Sequence, residues 1–402
     1  MKNIIKIVFA SIILVLGLAA CQQFEDVATI DKVTPLESTV SLSLDLGNAP
    51  TPSQFNVKFT NYADRFELSK VISPNGSIVV DGLIPGIYTV TVSAEMAAEG
   101  FTYNYSGSLV NQKIVTDNSS LSINVQASKS GALVFKEVFY CGSRTPTGGS
   151  YFRDQFYEIY NNSENVVNVR GLAIALLNPN TATANLPVWP GDDAANFVYA
   201  TAIWQVPDDK DYPVNPGESI IIAQMADDHK KSNLNPSSPV NLLSAEFETY
   251  VNTTSIISDN PAINMYMAFW PTKMPQWLTT VFGGVFVIYF PTEVINANNY
   301  VTPIGSATKC YKIPIVDVID ALELIGNPNQ INLKRMPTTL DAGAATVGGT
   351  YLTKSVARKV KETKNGRVIL YDTNNSTNDF EVMDVPTIRR YGAVAPSWNT
   401  WK

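Results

Sequence analysis

Residues 151–177 read YFRDQFYEIYNNSENVVNVRGLAIALL, two apolar runs on either side of a cluster of Asn, Ser and Glu. Successive side chains of a strand point to opposite faces. Tyr157 and Ile159 therefore share one face, and Phe156, Glu158 and Tyr160 take the other. Residues 161–165 are turn formers, after which Val167 and Val169 resume the alternation. At Gly171 the apolar parity passes to Leu172, Ile174 and Leu176, a shift that a β-bulge at Gly171 would produce. The stretch predicts a hairpin in which the acids hold a sheet together rather than do chemistry.

The same period runs upstream. In VSLSLDL, Val40, Leu42, Leu44 and Leu46 fall on one face. QFNVKFT, SIVVDGLIPGIYTVTVSAE, FTYNYSGSLV and SLSINVQAS continue it between Asn-Gly, Pro-Gly and Asp-Asn turns, which predicts a β-sandwich over residues 38–128. Small and polar residues in QASKSGALVFKEV mark a boundary, and a second unit occupies residues 131–402. It reads as strands and long loops with one helical pattern, IPIVDVIDALELIGN. There Ile315, Val318, Ile319 and Leu322 follow a helical step that Gly326-Asn327 would stop. The expected class is all-β, two immunoglobulin-like β-sandwich domains with a short helix in the second. A length of 402 residues, 45% of them apolar, supplies cores for both.

The N-terminus sets the compartment. Lys2 and Lys6 precede an apolar run from Ile7 to Leu16 that is too short for a membrane span. It exits through Leu18-Ala19-Ala20-Cys21, which resembles a bacterial lipobox. The resemblance implies cleavage after residue 20, lipidation of Cys21 and a tether over residues 21–37. Gln22, where Asp would retain the chain at the inner membrane, and the acids in CQQFED are similar to the sorting signals of surface lipoproteins in the Bacteroidota. Loss of the leader leaves 27 Lys and Arg against 36 acids, a charge of −9. With no basic block, nucleic acid is excluded as a partner class. Cys141 and Cys310 would be the two remaining cysteines, free to form one disulfide or to stay apart.

Two further resemblances concern the fold. GLIPGIYTVTVSAE, with Tyr88, Val90 and Val92 on one face, resembles the Gly-x-Tyr strand of transthyretin-like and carboxypeptidase-regulatory-like sandwiches, which implies a spacer. QFYEIYNNSENVVNVRGLAIA, NPGESIIIAQ (215–224), SVARK and DTNNSTNDF are similar to segments of the lamin-tail domain. Together with YPVNPGESIIIAQMADDH and LLSAEFETYV, they resemble a family of Bacteroidota lipoproteins carrying a domain of unknown function. That likeness implies fold and origin and brings no activity.

Catalytic patterns are sparse. The one histidine, His229, sits among Asp227, Asp228, Lys230 and Lys231, as on a solvated loop, and no Gly-x-Ser-x-Gly elbow accompanies it. One His and two distant Cys do not space a zinc site. Asp372, Asn374, Ser376 and Asp379 lie at calcium-ligand spacing, yet the loop lacks the glycine and final Glu of an EF-hand and reads as Asx turns. Glu137 and Glu158 would serve a glycosidase only at a suitable separation in an open cleft, and otherwise pair across strands with Lys136, Arg153 or Arg170. Asp317 and Asp320 are expected on a solvated helix face. Trp189, Trp204, Trp270 and Trp277, beside prolines and acids, are candidate ligand contacts set against a packing role. No catalytic residue, metal or cofactor is expected. The leading expectation is a non-enzymatic outer-membrane lipoprotein that binds a ligand, as accessory to an outer-membrane nutrient transporter. The alternatives are an adhesive envelope protein that holds surface glycan or matrix, and a carboxylate-based hydrolase.

Overall fold

A computed structural model describes residues 34–401 except positions 48, 99–100, 130, 253–256, 273 and 278. The leader, Cys21 and the tether up to residue 33 lie outside the described residues. The first unit comprises β1 (Leu36–Asp45), β2 (Phe55–Asn61), β3 (Phe66–Ile72), β4 (Ser77–Leu83), β5 (Gly86–Ala98), β6 (Phe101–Ile114) and β7 (Ser119–Lys129). They form one sheet in the order β3-β2-β5-β6-β7-β1-β4, with β1 and β7 parallel. Its end strands β3 and β4 meet through Lys70 and Asp81 (2.9 Å), so the sheet wraps over its own core as a sandwich. Val40, Phe59, Tyr88, Val90, Tyr105 and Ile123 fill that core, as the alternation requires. Tyr88 also explains the Pro-Gly turn before it: its hydroxyl donates to the Ile84 carbonyl (2.7 Å) and accepts from the Ile84 amide (3.1 Å).

The second unit is two sheets face to face. One runs β18 (Ile263–Asn264), β17 (Phe247–Glu248), β16 (Ser219–Ala223), β11 (Phe156–Asn161), β8 (Leu133–Phe139), β23 (Ser355–Arg358), β26 (Phe380–Met383). The other runs β19 (Tyr266–Phe269), β14 (Phe197–Gln205), β13 (Ala173–Leu177), β20 (Val285–Tyr289), β22 (Val318–Glu323), with β21 (Tyr311–Pro314) also paired to β14. Small ribbons complete it: β9 (Ser143–Arg144) with β10 (Ser150–Tyr151), β12 (Val167–Asn168) with β15 (Pro213–Val214), and β24 (Val360–Lys364) with β25 (Arg367–Leu370). Tyr157 and Ile159 face Ile174, Leu176, Phe286 and Ile288 across the core, whereas Tyr160 packs on the opposite side with Val134, Leu370 and Ala393. The protein is all-β, as its periodicity indicates.

Two local expectations are corrected. Gly171 is not a bulge inside a strand: with φ +75° it turns the chain between β12 and β13. The segment read as a helix is a single tight turn, Ile315–Asp317, followed by the strand β22. Opposite β20, Tyr289 pairs with Val318 and Ile288 with Asp320, so Ile319 is an extra residue. That bulge puts apolar residues at 318, 319 and 322 and so imitates a helical spacing. Among the described residues the α-helical turn is α1 (Ser376–Asp379), whose N-cap Asn375 side chain accepts from Asn378 N (3.3 Å).

Strands β6 and β7 approach closely at Gly107, where a Cβ would stand 2.3 Å from the Asn124 backbone oxygen of β7. Gly107→Ala should therefore destabilise the protein by about 1–3 kcal/mol, readable as a lower midpoint in chemical denaturation; an unchanged midpoint would show that the strands can part at no cost.

Candidate functional site

The acids of the opening stretch belong to a buried row. Glu158 and Glu137 are direct cross-strand partners on β11 and β8, with Ile159 opposite Phe135, so Lys136 is a bulged residue. Both carboxylates and Lys136 are fully buried. The bulge turns the Lys136 ammonium onto Glu158 (2.9 Å), which also accepts from Ser219 Oγ (2.7 Å) and the Arg389 amide (3.0 Å). Glu137 accepts from Ser355 Oγ (2.7 Å), the Thr387 amide (2.8 Å) and the Arg390 guanidinium (2.8 and 3.1 Å). Farther along the sheet, Glu246 holds the Ile221 amide (2.8 Å), the Arg389 guanidinium (2.6 Å) and the Asn399 side chain. Burial raises the Glu246 carboxyl while Arg389 opposes it, and burial lowers the Lys136 ammonium against the pull of Glu158. The row fastens the segment after β26 across the outer face of the sheet. Arg389 and Tyr391 sit there at φ +56° and +62°, left-handed positions that the surrounding bonds must hold. Neither Glu137 nor Glu158 presents an open oxygen to a cleft. Of the pairings weighed from sequence, Lys136 is the one formed; Arg170 pairs with Asp211 (3.4 Å) instead.

Asp320 is not on a solvated face. It is buried and takes the Arg358 guanidinium at 2.7 Å and the Phe135 amide at 2.7 Å, while Arg358 also reaches Asp372 (3.3 Å) and Asp379 (3.4 Å). One guanidinium serves three buried carboxylates, so burial prevails and pushes Asp320 up to about 7 despite the contact. The candidate calcium loop is occupied by its own chain: Asp379 accepts from Thr373 N (2.8 Å) and Thr373 Oγ1 (2.7 Å). Among the described residues no group of His, Cys, Asp and Glu is arranged to hold a metal.

His229 is also corrected from solvated loop to core. Its Nε2–H donates to the Met225 carbonyl (2.9 Å) and its Nδ1 accepts from the Tyr151 hydroxyl (2.7 Å), and burial lowers it to about 4. Nearby Asp154 is raised by burial to about 6 even though Ser143 and Ser238 donate to it. Cys141 and Cys310 are both buried free thiols, so the disulfide is not formed. Cys141 Sγ lies against the Lys354 carbonyl (3.2 Å), Cys310 sits in the bridge to Val301, and burial raises Cys310 to about 12.

Of the four tryptophans, three are core. Trp204 packs on both Trp270 and Trp277 at centroid separations of 6.1 Å, with Tyr157 5.7 Å from Trp277. Trp189 differs: half-buried, it stacks on Tyr199 at 3.7 Å and 4°. These rings line a half-open cavity of about 290 Å³ with Leu186, Pro187, Phe197 and Pro337. Its one cation, Arg335, is already engaged by Glu323 (3.0 Å) and by the Pro179 carbonyl (3.5 Å). Such a cavity suits an apolar or aromatic group. Sequence reasoning missed Tyr199 and Phe197, whose strand pattern reads as ordinary core, and Arg358, a cation inside the apolar strand SVARK that gave a usable signal.

Two tests follow from these buried groups. Glu158→Ala leaves the Lys136 ammonium buried without its partner and should cost about 3–5 kcal/mol, with earlier proteolysis of the segment after β26; wild-type resistance would contradict the clamp. His229 has its folded pKa below its unfolded value, so between about 6.5 and about 4 only the unfolded chain gains the proton. Relative to His229→Gln, the wild type should lose roughly 3 kcal/mol of unfolding free energy across that window as pH falls; a difference independent of pH would contradict a neutral buried imidazole.

Residues 215–387 match the family model described as protein of unknown function DUF4876. A crystal structure of a DUF4876 family protein from Bacteroides thetaiotaomicron is 41% identical, with 90% of this chain and 99% of that one covered and a TM-score of 0.65. Among curated proteins none matches. With that identity over nearly the whole solved chain, this protein belongs to the DUF4876 family.

Proposed function

We propose that this chain is a lipid-anchored binding protein of the outer membrane that does no chemistry of its own and holds an apolar or aromatic group in the Trp189–Tyr199 cavity. The cavity carries the reading, because it places two stacked rings at a half-open surface while the acids and histidine weighed for catalysis are engaged inside. The lipobox-like Leu18-Ala19-Ala20-Cys21 supports the anchor, and Gln22 with the following acids supports the outer membrane and the cell surface. The first sandwich then acts as a spacer, and the second is the lamin-tail-like unit that binds. An outer-membrane transporter is the partner class this reading favours, since a tethered apolar pocket can present cargo to a neighbour in the same membrane.

The anchor and the cavity can be tested separately. Cys21→Ala should abolish incorporation of radiolabelled palmitate and release the chain from the membrane fraction; retention of the label would refute lipidation at that residue. For the cavity, an anilinonaphthalene sulfonate titration should saturate, and Trp189→Ala should weaken it about tenfold, the loss of ~1.4 kcal/mol of stacking. Equal affinity in the two proteins would refute the cavity as the site, and binding of oligosaccharides on a glycan array in place of the apolar probe would favour an adhesive role.

A further inference from the structure

Beside the aromatic cavity, the outer edge of β21 is left open. Tyr199 O accepts from the Asn178 amide (2.8 Å), so the Tyr199 backbone faces β13 and its partner on β21, Lys312, forms a non-hydrogen-bonded pair with it. The Lys312 N–H and C=O consequently point away from β14. Cys310 faces the same edge and is satisfied there, giving its amide to Val301 O (2.8 Å) and accepting from Val301 N (2.9 Å). That ladder stops after one rung: at Asn299, the position its register sets opposite Lys312, the chain turns, and the amide goes to Asn296 O (2.9 Å) instead. The departure leaves a hollow of about 280 Å³ lined by Tyr289, Ile295, Val301 and Lys312. Among the described residues no further strand pairs with β21.

We propose that an extended peptide segment with alternating apolar and basic residues adds to this edge as an antiparallel strand. Its backbone would exchange two hydrogen bonds with Lys312 and continue the rung begun by Val301 and Cys310. Pro314, two residues on, has no N–H, so the ladder is short and selectivity falls to side chains. Phe197 lines both this hollow and the Trp189 cavity, which brings the cavity within reach of a flanking apolar side chain. The rim sets the sign of the charge. Glu293 and Asp317 line this hollow, Asp193 already holds the Lys312 ammonium (3.0 Å), and the cation of the neighbouring cavity, Arg335, is taken by Glu323 (3.0 Å). A free carbohydrate would use the rings but not the open amide and carbonyl. The inference rests on the cavity being a binding site, and its test separates the two.

The test screens the full-length protein against an array of short synthetic peptides of alternating apolar and Lys or Arg residues, with an acidic set of equal hydrophobicity as control. The best binder is then followed by fluorescence polarisation. The basic set should bind and the acidic set should not. N-methylation of the one peptide amide facing Lys312 should weaken binding about tenfold, the scale of one lost backbone hydrogen bond in a partly dry site, and methylation at the neighbouring amides should not. Lys312→Pro should reproduce the loss, whereas Lys312→Ala, which keeps the N–H, should bind; should the proline variant not fold, the methylation scan decides alone. A flat scan overturns strand addition. Failure of all peptides while the anilinonaphthalene probe still binds in a Trp189-dependent way overturns the peptide inference and keeps the cavity; failure of both removes both.

Discussion

The second unit depends on three buried carboxylates that cannot be left alone. Transferring an ionised side chain from water into protein costs several kcal/mol unless it is paired and hydrogen-bonded. Glu137, Glu158 and Glu246 meet that cost with Arg390, Lys136 and Arg389, and with the backbone amides of Thr387 and Arg389. Two of the three cations and both of those amides come from the segment after β26. The sheet thus acquires a second buried face only when the end of the chain arrives, and β11 is buried along its whole length as a result.

This arrangement divides the molecule by role. The charged groups of the β8–β11 face and of the Arg358 cluster are structural, spent on locking strands to the loops that cover them. The Trp189–Tyr199 stack and the free edge of β21 lie on the other sheet, at β14 and its neighbours. Substitutions in the first group should act through folding, and those in the second through the binding proposed for them.

Much of the fold was legible because strand periodicity survives where one face is dry and the turns are chemically marked. The parity of Tyr157 and Ile159 against Glu158 and Tyr160, and of Tyr88 against Val90 and Val92, follows directly from alternation. It failed at irregularities: the extra residue Ile319 gave β22 a helical signature, and Gly171 marked a turn rather than a bulge. The site was less legible because burial of polar groups depends on residues remote in sequence. His229 lies in a charged run yet is fully buried, and Asp320 meets Arg358, 38 positions away. For the tryptophans the missing information was which ring the tertiary packing leaves at the surface.

Whether the end of the chain completes the buried carboxylate row is decided by amide hydrogen exchange on a chain shortened to end at Asp384. In the shortened chain β8, β11 and β16 should lose protection by orders of magnitude while β1–β7 keep theirs. Native protection of β8 and β11 in the shortened chain would contradict it.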